Sequence, residues 1–255
     1  MPDPEAFYDD LAEDYHLVYR DWRRSVRWQG EGLDRLIRAQ LGDRPATILD
    51  CSCGIGTQAI GLALHGHTVH ATDISARAIE RARREATAFN VDLTLAVADM
   101  REIAEVMPGT FDVVLSCDNS LPHLIDDADI LAALGSMRRR LSPEGLLIIG
   151  TRDYDDLMAE RPQFTPPQVT GTPGQRAIVF QLWDWADDGS RYTLTLFVTR
   201  ETGDGWQTTA RATRYRALRR DDLTRLLAEA GYSGIQWHEP EAIPHHQPVV
   251  TARPT

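Results

Sequence analysis

Thr47-Ile48-Leu49-Asp50-Cys51-Ser52-Cys53-Gly54-Ile55-Gly56-Thr57-Gln58 is the stretch whose reading decides the fold. A short apolar run closes on an acid, passes through small residues and two glycines, and continues into the apolar residues 59–64. That order predicts strand, tight loop, helix. Gly54 and Gly56 remove the Cβ atoms that would keep a ligand off the backbone, and they tolerate positive φ. The helix behind them directs unsatisfied N–H groups back at the loop. A loop so built holds a nucleotide or a nucleoside.

Gly54-x-Gly56-x-x-Ala59 also satisfies the dinucleotide pattern, which keeps a nicotinamide oxidoreductase as an alternative. Two acids shift the reading. Asp50 stands at the strand end, where a carboxylate would crowd a pyrophosphate but can hold a cationic amino-acid tail. Asp73 closes the next strand, residues 69–73, and is placed to accept hydrogen bonds from ribose hydroxyls. Asp50-x-x-x-Gly54-x-Gly56 together with Asp73 resembles the class I S-adenosylmethionine-dependent methyltransferases. The resemblance implies S-adenosyl-L-methionine as cofactor, held by Tyr8, Tyr19, Asp50, Ser52, Gly54, Gly56, Asp73, Ile74, Asp99, Met100 and Cys117. In that family an acid in the position of Asp99 takes the adenine amino group, and the backbone N–H of the next residue, here Met100, meets a ring nitrogen. Asp99 is equally suited to cap a helix.

The chain has 255 residues and a formal charge of −11; its 27 basic residues are all arginine. An acidic chain without a basic run argues against a nucleic-acid substrate, because phosphate contacts dominate such affinity. Arg138-Arg139-Arg140, the densest basic cluster, reads as the solvated end of a helix. No apolar run approaches the length of a membrane span, and the acidic Met1-Pro2-Asp3-Pro4-Glu5 is unlike a signal peptide, so the expected location is the cytoplasm. Cys51, Cys53 and Cys117 read as small fillers at strand ends. The Cys51-x-Cys53 spacing is too tight for an ordinary zinc pair, and no metal site is expected.

Taken in order, the chain predicts an α/β fold: a doubly wound, Rossmann-like, mostly parallel sheet with N-terminal helices and a small antiparallel β-rich insert. Residues 1–42 form an N-terminal helical cap rich in aromatics. Residues 43–160 form the nucleoside-binding core, including a helix over 75–89 with Ser75 as its cap, a helix over 128–141, a turn at 142–145 and a strand over 146–150. Residues 161–218, introduced by Pro162, Pro166, Pro167 and Pro173, form the insert, serving as a lid or an interface. Residues 219–255 supply a final helix and one strand around 248–252. His245 and His246 are expected in solvent.

Two motifs narrow the resemblance. Asn119-Ser120-Leu121-Pro122-His123-Leu124 and Arg152-Asp153-Tyr154-Asp155 are similar to stretches of the glycine and glycine/sarcosine N-methyltransferases, with Asp153 replacing an Asn. There the Asn and the Arg grip the substrate's carboxylate. The resemblance therefore assigns Tyr15, Asn119, Arg152 and Tyr215 to substrate binding, and Tyr19 and His123 to catalysis. His123 is also read as a brace for its loop. The expected activity is N-methylation of a small amino acid or amine, with partners limited to a small-molecule substrate and a compatible homo-oligomer, and neither nucleic acid nor membrane. O-methylation of a small acid or hydroxyl and a non-catalytic nucleoside-binding module are the alternatives.

Overall fold

A computed structural model describes residues 3–255; Met1 and Pro2, the first residues of the expected helical cap, lie outside the described residues. The chain begins with helix α1 (Pro4–Leu11) and a 3₁₀ turn (Tyr15–Val18), followed by α2 (Trp22–Leu41). The expected helical cap over 1–42 is thus divided into separate pieces. Asp21 sits in extended conformation and its side chain accepts from Arg24 N at 3.0 Å, starting a new helix there.

Strands and helices then alternate: β1 (Thr47–Asp50), α3 (Thr57–Leu64), β2 (Thr68–Asp73), α4 (Ala76–Phe89), β3 (Thr94–Val97), α5 (Ile103–Val106), β4 (Phe111–Ser116), α6 (Asp127–Arg138) and β5 (Leu141–Gly150). Ser75 Oγ accepts from Ala78 N and caps α4 as its sequence predicts, and Asn90 ends that helix in the left-handed region at φ 56°. The predicted turn at 142–145 is absorbed into β5, where the pairing with β4 shifts register between Phe111 and Val113.

After α7 (Tyr154–Glu160) come β6 (Gln168–Thr170), β7 (Ala177–Trp185), β8 (Arg191–Thr202) and β9 (Gly205–Arg216), which form a separate four-stranded antiparallel sheet. Then follow α8 (Arg220–Glu229), β10 (Tyr232–His238) and β11 (Val249–Pro254). The main sheet has seven strands in the order β10-β11-β5-β4-β1-β2-β3. Strands β1 to β5 are all parallel, and β11 runs antiparallel to β5. One C-terminal strand was predicted and two are present. β10 escapes a pattern reading because Ser233, Gly234 and Gln236 leave this edge strand little alternation, and its pairing is bulged.

Period-two alternation builds a core on each face. Val113, Leu115, Leu146 and Ile148 pack with Leu33, Leu36, Ile37, Ala59 and Leu62 of α2 and α3. Val114, Leu147 and Ile149 point the other way, toward Ile130, Leu134 and Met137 of α6 and Leu223 and Leu227 of α8. The layer of α2 on α3 depends on backbone contact: a Cβ on Gly61 would lie 2.5 Å from the Val26 carbonyl oxygen, and one on Gly30 would lie 2.6 Å from Gly61. Close approach there sets the angle of the helix that carries the Gly54–Gly56 loop.

Gly61→Ala tests this contact. The substitution gains about 1 kcal/mol of helix propensity, and overpacking against fixed backbone costs about 1–3 kcal/mol. The expected net result is a lower urea midpoint at unchanged slope.

Candidate functional site

The loops after β1, β2, β3 and β4 meet at the carboxyl edge of the sheet, where open α/β sheets bind ligands. Gly54 adopts φ +53° and no atom lies within 4 Å of where its Cβ would be, so the backbone there is open to a ligand. Gly56, at φ +96°, caps the start of α3. Asp73 ties the loop down: its Oδ2 accepts from Gly54 N at 2.8 Å and its Oδ1 from Ser75 N at 2.9 Å. Burial pushes the Asp73 carboxyl upward, against the pull of those two N–H donors.

A cavity of about 520 Å³ opens over this loop. Among the predicted cofactor residues, Tyr8, Ser52, Gly54, Asp73, Ile74, Asp99 and Met100 line it. Asp50, Gly56 and Cys117 do not. Asp50 lies behind the wall formed by Cys51, Ser52 and Cys53; its Oδ1 accepts from Ser52 N at 3.2 Å, and its buried Oδ2 has no partner. Burial pushes this carboxyl up to about 8. Cys117 packs its side chain 3.3 Å from the Cβ position of Gly150. At the far end Asp99 is held by Arg101, whose Nη2 donates to Oδ2 at 2.6 Å and whose backbone N donates to Oδ1 at 2.8 Å. Half-burial opposes the charge on Asp99, but those donors prevail and hold its carboxyl below the usual range.

A second chamber of about 460 Å³ adjoins the first, sharing Tyr8, Tyr15 and Asp118 with it. Tyr15, Tyr19, Arg152 and Tyr215 line it. The N-terminal turn and the antiparallel sheet wall this chamber together, joined by ion pairs from Arg200 and Arg211 to Asp14. Arg152 stacks over Trp183 (4.8 Å to the ring centre) and Tyr215 (5.2 Å), and its Nη1 donates to the Tyr192 hydroxyl at 2.6 Å. Among the described residues no carboxylate pairs with it. Asn119 is buried outside both chambers; its Oδ1 accepts from Arg152 N at 3.1 Å and from Thr151 Oγ1 at 3.2 Å, so it orients Arg152.

His123 lines the first cavity, yet its surroundings suit a brace. Its Nδ1 lies 3.2 Å from the Arg214 carbonyl, which fixes the proton there and leaves Nε2 to accept from the Tyr8 hydroxyl at 2.9 Å. Burial pushes the ring down to about 3, far too low for an effective base near neutral pH. Burial also keeps the hydroxyls of Tyr8, Tyr15 and Tyr19 protonated.

Asp118 was not singled out in the sequence although it immediately precedes the Asn119–Leu124 motif. Its carboxylate accepts from the Tyr19 hydroxyl and faces His246 Nε2 at 3.2 Å. Asp118 and Asn119 both hold positive φ, 53° and 65°, which is costly for residues with a Cβ and is common where a chain is held for a ligand. Trp183 and Tyr192 were equally missed, since hairpin aromatics carry no signal of which face meets a site.

Sheet order, loop and carboxylates are similar to those of class I S-adenosylmethionine-dependent methyltransferase domains. Residues 48–145 match the family model described as a methyltransferase domain. The chain is 32% identical over 154 residues to a glycine/sarcosine N-methyltransferase of Parasynechococcus marenigrum, covering 60% of this chain and 53% of that protein. It therefore spans about half the length of that relative. Solved structures share the fold: DesVI of Streptomyces venezuelae (TM-score 0.78, 19% identity, 96% and 99% of the two chains) and the S-adenosylmethionine-bound CalS10, an amino pentose methyltransferase of Micromonospora echinaspora (TM-score 0.76, 19% identity, 94% and 96%). The residues present fit the nucleoside: the open cradle at Gly54, the cavity-lining Asp73 and the unpartnered Asp50 oxygen suit its backbone approach, ribose and cationic tail in turn.

Below about 8 the ligand-free Asp50 carboxyl carries a proton, which it must lose to pair with an ammonium. Each pH unit below that point weakens such binding by up to about tenfold. Calorimetric affinity for S-adenosylhomocysteine is expected to rise from pH 6 to 8 and then flatten, and Asp50→Asn is expected to remove the slope.

Proposed function

We propose that the protein transfers a methyl group from S-adenosyl-L-methionine to the nitrogen of a small amine bearing a carboxylate. The observation that carries this reading is Arg152: a cation walled by Trp183 and Tyr215, tied to Tyr192, facing the second chamber without an acid of its own. A guanidinium stays charged in any protein, and its planar fork matches a carboxylate. The glycine/sarcosine relative supports the same acceptor class.

S-adenosyl-L-methionine supplies a methyl carbon already activated by its sulfonium. The chain's residues have only to align a neutral amine behind that carbon, at about 3 Å and away from water. The N–C bond forms as the S–C bond breaks, S-adenosylhomocysteine leaves, and the resulting ammonium sheds its proton to solvent. Arg152 anchors the acceptor, Asn119 fixes the backbone of Arg152, and Tyr8, Tyr15 and Tyr19 present hydroxyl oxygens where the two chambers meet. No strong base is required, which agrees with the depressed His123. That same depression weighs against O-methylation with His123 as base. The amino pentose enzyme of the same fold favours a second acceptor class, an amino sugar.

Arg152→Ala is expected to raise KM for a carboxylate-bearing amine by roughly 10–100-fold, the worth of a charge-assisted pair, with kcat little changed. Labelled-methyl transfer to sarcosine, glycine and the matching decarboxylated amines measures it. An unchanged KM, or equal turnover of amines lacking the carboxylate, would overturn the anchoring role.

A further inference from the structure

The segment between β10 and β11 runs over the second chamber and ends in His245-His246-Gln247. It is pinned in place because Gly32 of α2 admits the Pro244 carbonyl; a Cβ there would lie 2.3 Å from that oxygen. His245, expected in solvent, is instead 1% exposed. Its Nδ1 makes its shorter contact with the Gln247 carbonyl, at 3.1 Å, and the Gln247 N–H lies at 3.3 Å. Whichever of these holds the ring, Nε2 is buried with no partner. An imidazole held by a carbonyl at Nδ1 presents a bare lone pair at Nε2, the arrangement of a metal-ligating histidine.

That orphan nitrogen has companions. One ligand atom each of Asp118, His245 and His246 lies within 4.8 Å of the others. The Tyr19 hydroxyl occupies one Asp118 oxygen, and the other faces His246 Nε2 at 3.2 Å.

We propose that Asp118, His245 and His246 form a binding site for a divalent first-row transition cation at the junction of the two chambers. Two imidazoles and a carboxylate suit zinc, cobalt, nickel or iron(II), and disfavour magnesium and calcium, which take oxygen ligands. Around a tetrahedral ion with bonds of about 2.1 Å, ligand atoms stand about 3.4 Å apart, so closure of about an ångström by side-chain rotation completes the set. Three protein ligands leave a position open. Asp118 and His246 line the second chamber, so that position takes water or an oxygen donor of the acceptor. A site of this kind explains why a histidine whose Nε2 has no partner is buried beside an aspartate held at positive φ. It does not depend on the methyl-transfer reading.

Titration calorimetry of the full chain, freed of metal by a chelator, tests it with Zn²⁺ and with Mg²⁺. One Zn²⁺ per chain is expected, bound roughly 100-fold more tightly than Mg²⁺. His245→Ala is expected to weaken Zn²⁺ by at least about tenfold. His65→Ala, beside the separate Asp34–His67 pair, is expected to leave the titration unchanged. Co²⁺ provides a second readout, visible absorption bands that are lost in the variant. Should His245→Ala not fold, His246→Gln on the more exposed ring is expected to weaken binding in the same way. Zn²⁺ bound no better than Mg²⁺, or a folded His245 or His246 variant that keeps the wild-type affinity and cobalt spectrum, would overturn the proposal. Failure to bind S-adenosylhomocysteine would sink the donor assignment and leave this result standing.

Discussion

The Asp73 carboxylate, with one oxygen on Gly54 N and the other on Ser75 N, fastens the two loops that meet over the sheet edge. Ser75 in turn donates its hydroxyl to Asp9 on α1, at 2.6 Å, so the tie extends from the glycine loop to the N-terminal helix. Buried carboxylates are costly unless their lone pairs are used. Asp73 meets that cost with backbone donors and keeps further lone-pair capacity toward the cavity, whereas Asp50, one strand away, has an oxygen with none. Burial pushes both neighbouring carboxyls upward, and the N–H groups each loop turns toward them oppose it, Gly54 and Ser75 at Asp73 and Ser52 at Asp50.

The second chamber is built on the opposite logic. Its cation is surrounded by ring faces and hydroxyls instead of carboxylates: Trp183 stacks on Tyr192, Tyr192 on Tyr215, and Arg152 lies over this array. A desolvated guanidinium without a counter-ion attracts an anion more strongly than one already paired, because no internal bridge must break first. The link from the Tyr8 hydroxyl through the His123 ring to the Arg214 carbonyl stiffens the partition between the chambers, and neither ring carries charge near neutral pH.

Much of the core was legible in the chain. The order of strands and helices to β5, the Ser75 cap and the hairpins followed from periodicity and capping, which are local. The loop glycines and Asp73 were legible because a ligand-cradling turn restricts residue type. What stayed hidden was non-local. Asp50 looked like part of the open lining, yet it is buried behind Cys51, Ser52 and Cys53, with one bare oxygen left to meet a cation. Asn119 was read as a gripping amide; its oxygen is engaged by Arg152 N and Thr151, and its amide nitrogen is buried without a partner outside both chambers. His245 was read as solvated because nothing in its own neighbourhood announces Gly32, two hundred residues earlier in the chain, as the seat for its loop. Asp118 lacked a signal until Tyr19 and His246 were brought beside it.

The division of labour along the chain has an evolutionary consequence. Of the described residues lining the second chamber, Asp118 alone falls within residues 48–145, the part that matches the family model. The rest come from the N-terminal helices, Arg152, the antiparallel sheet and the segment before β11. Mutational drift in those flanking segments can reshape what the pocket accepts while the nucleoside cradle stays untouched. Proteins sharing this cradle can thus diverge in diet without relearning their chemistry, and likeness confined to the cradle is a poor guide to what each one consumes.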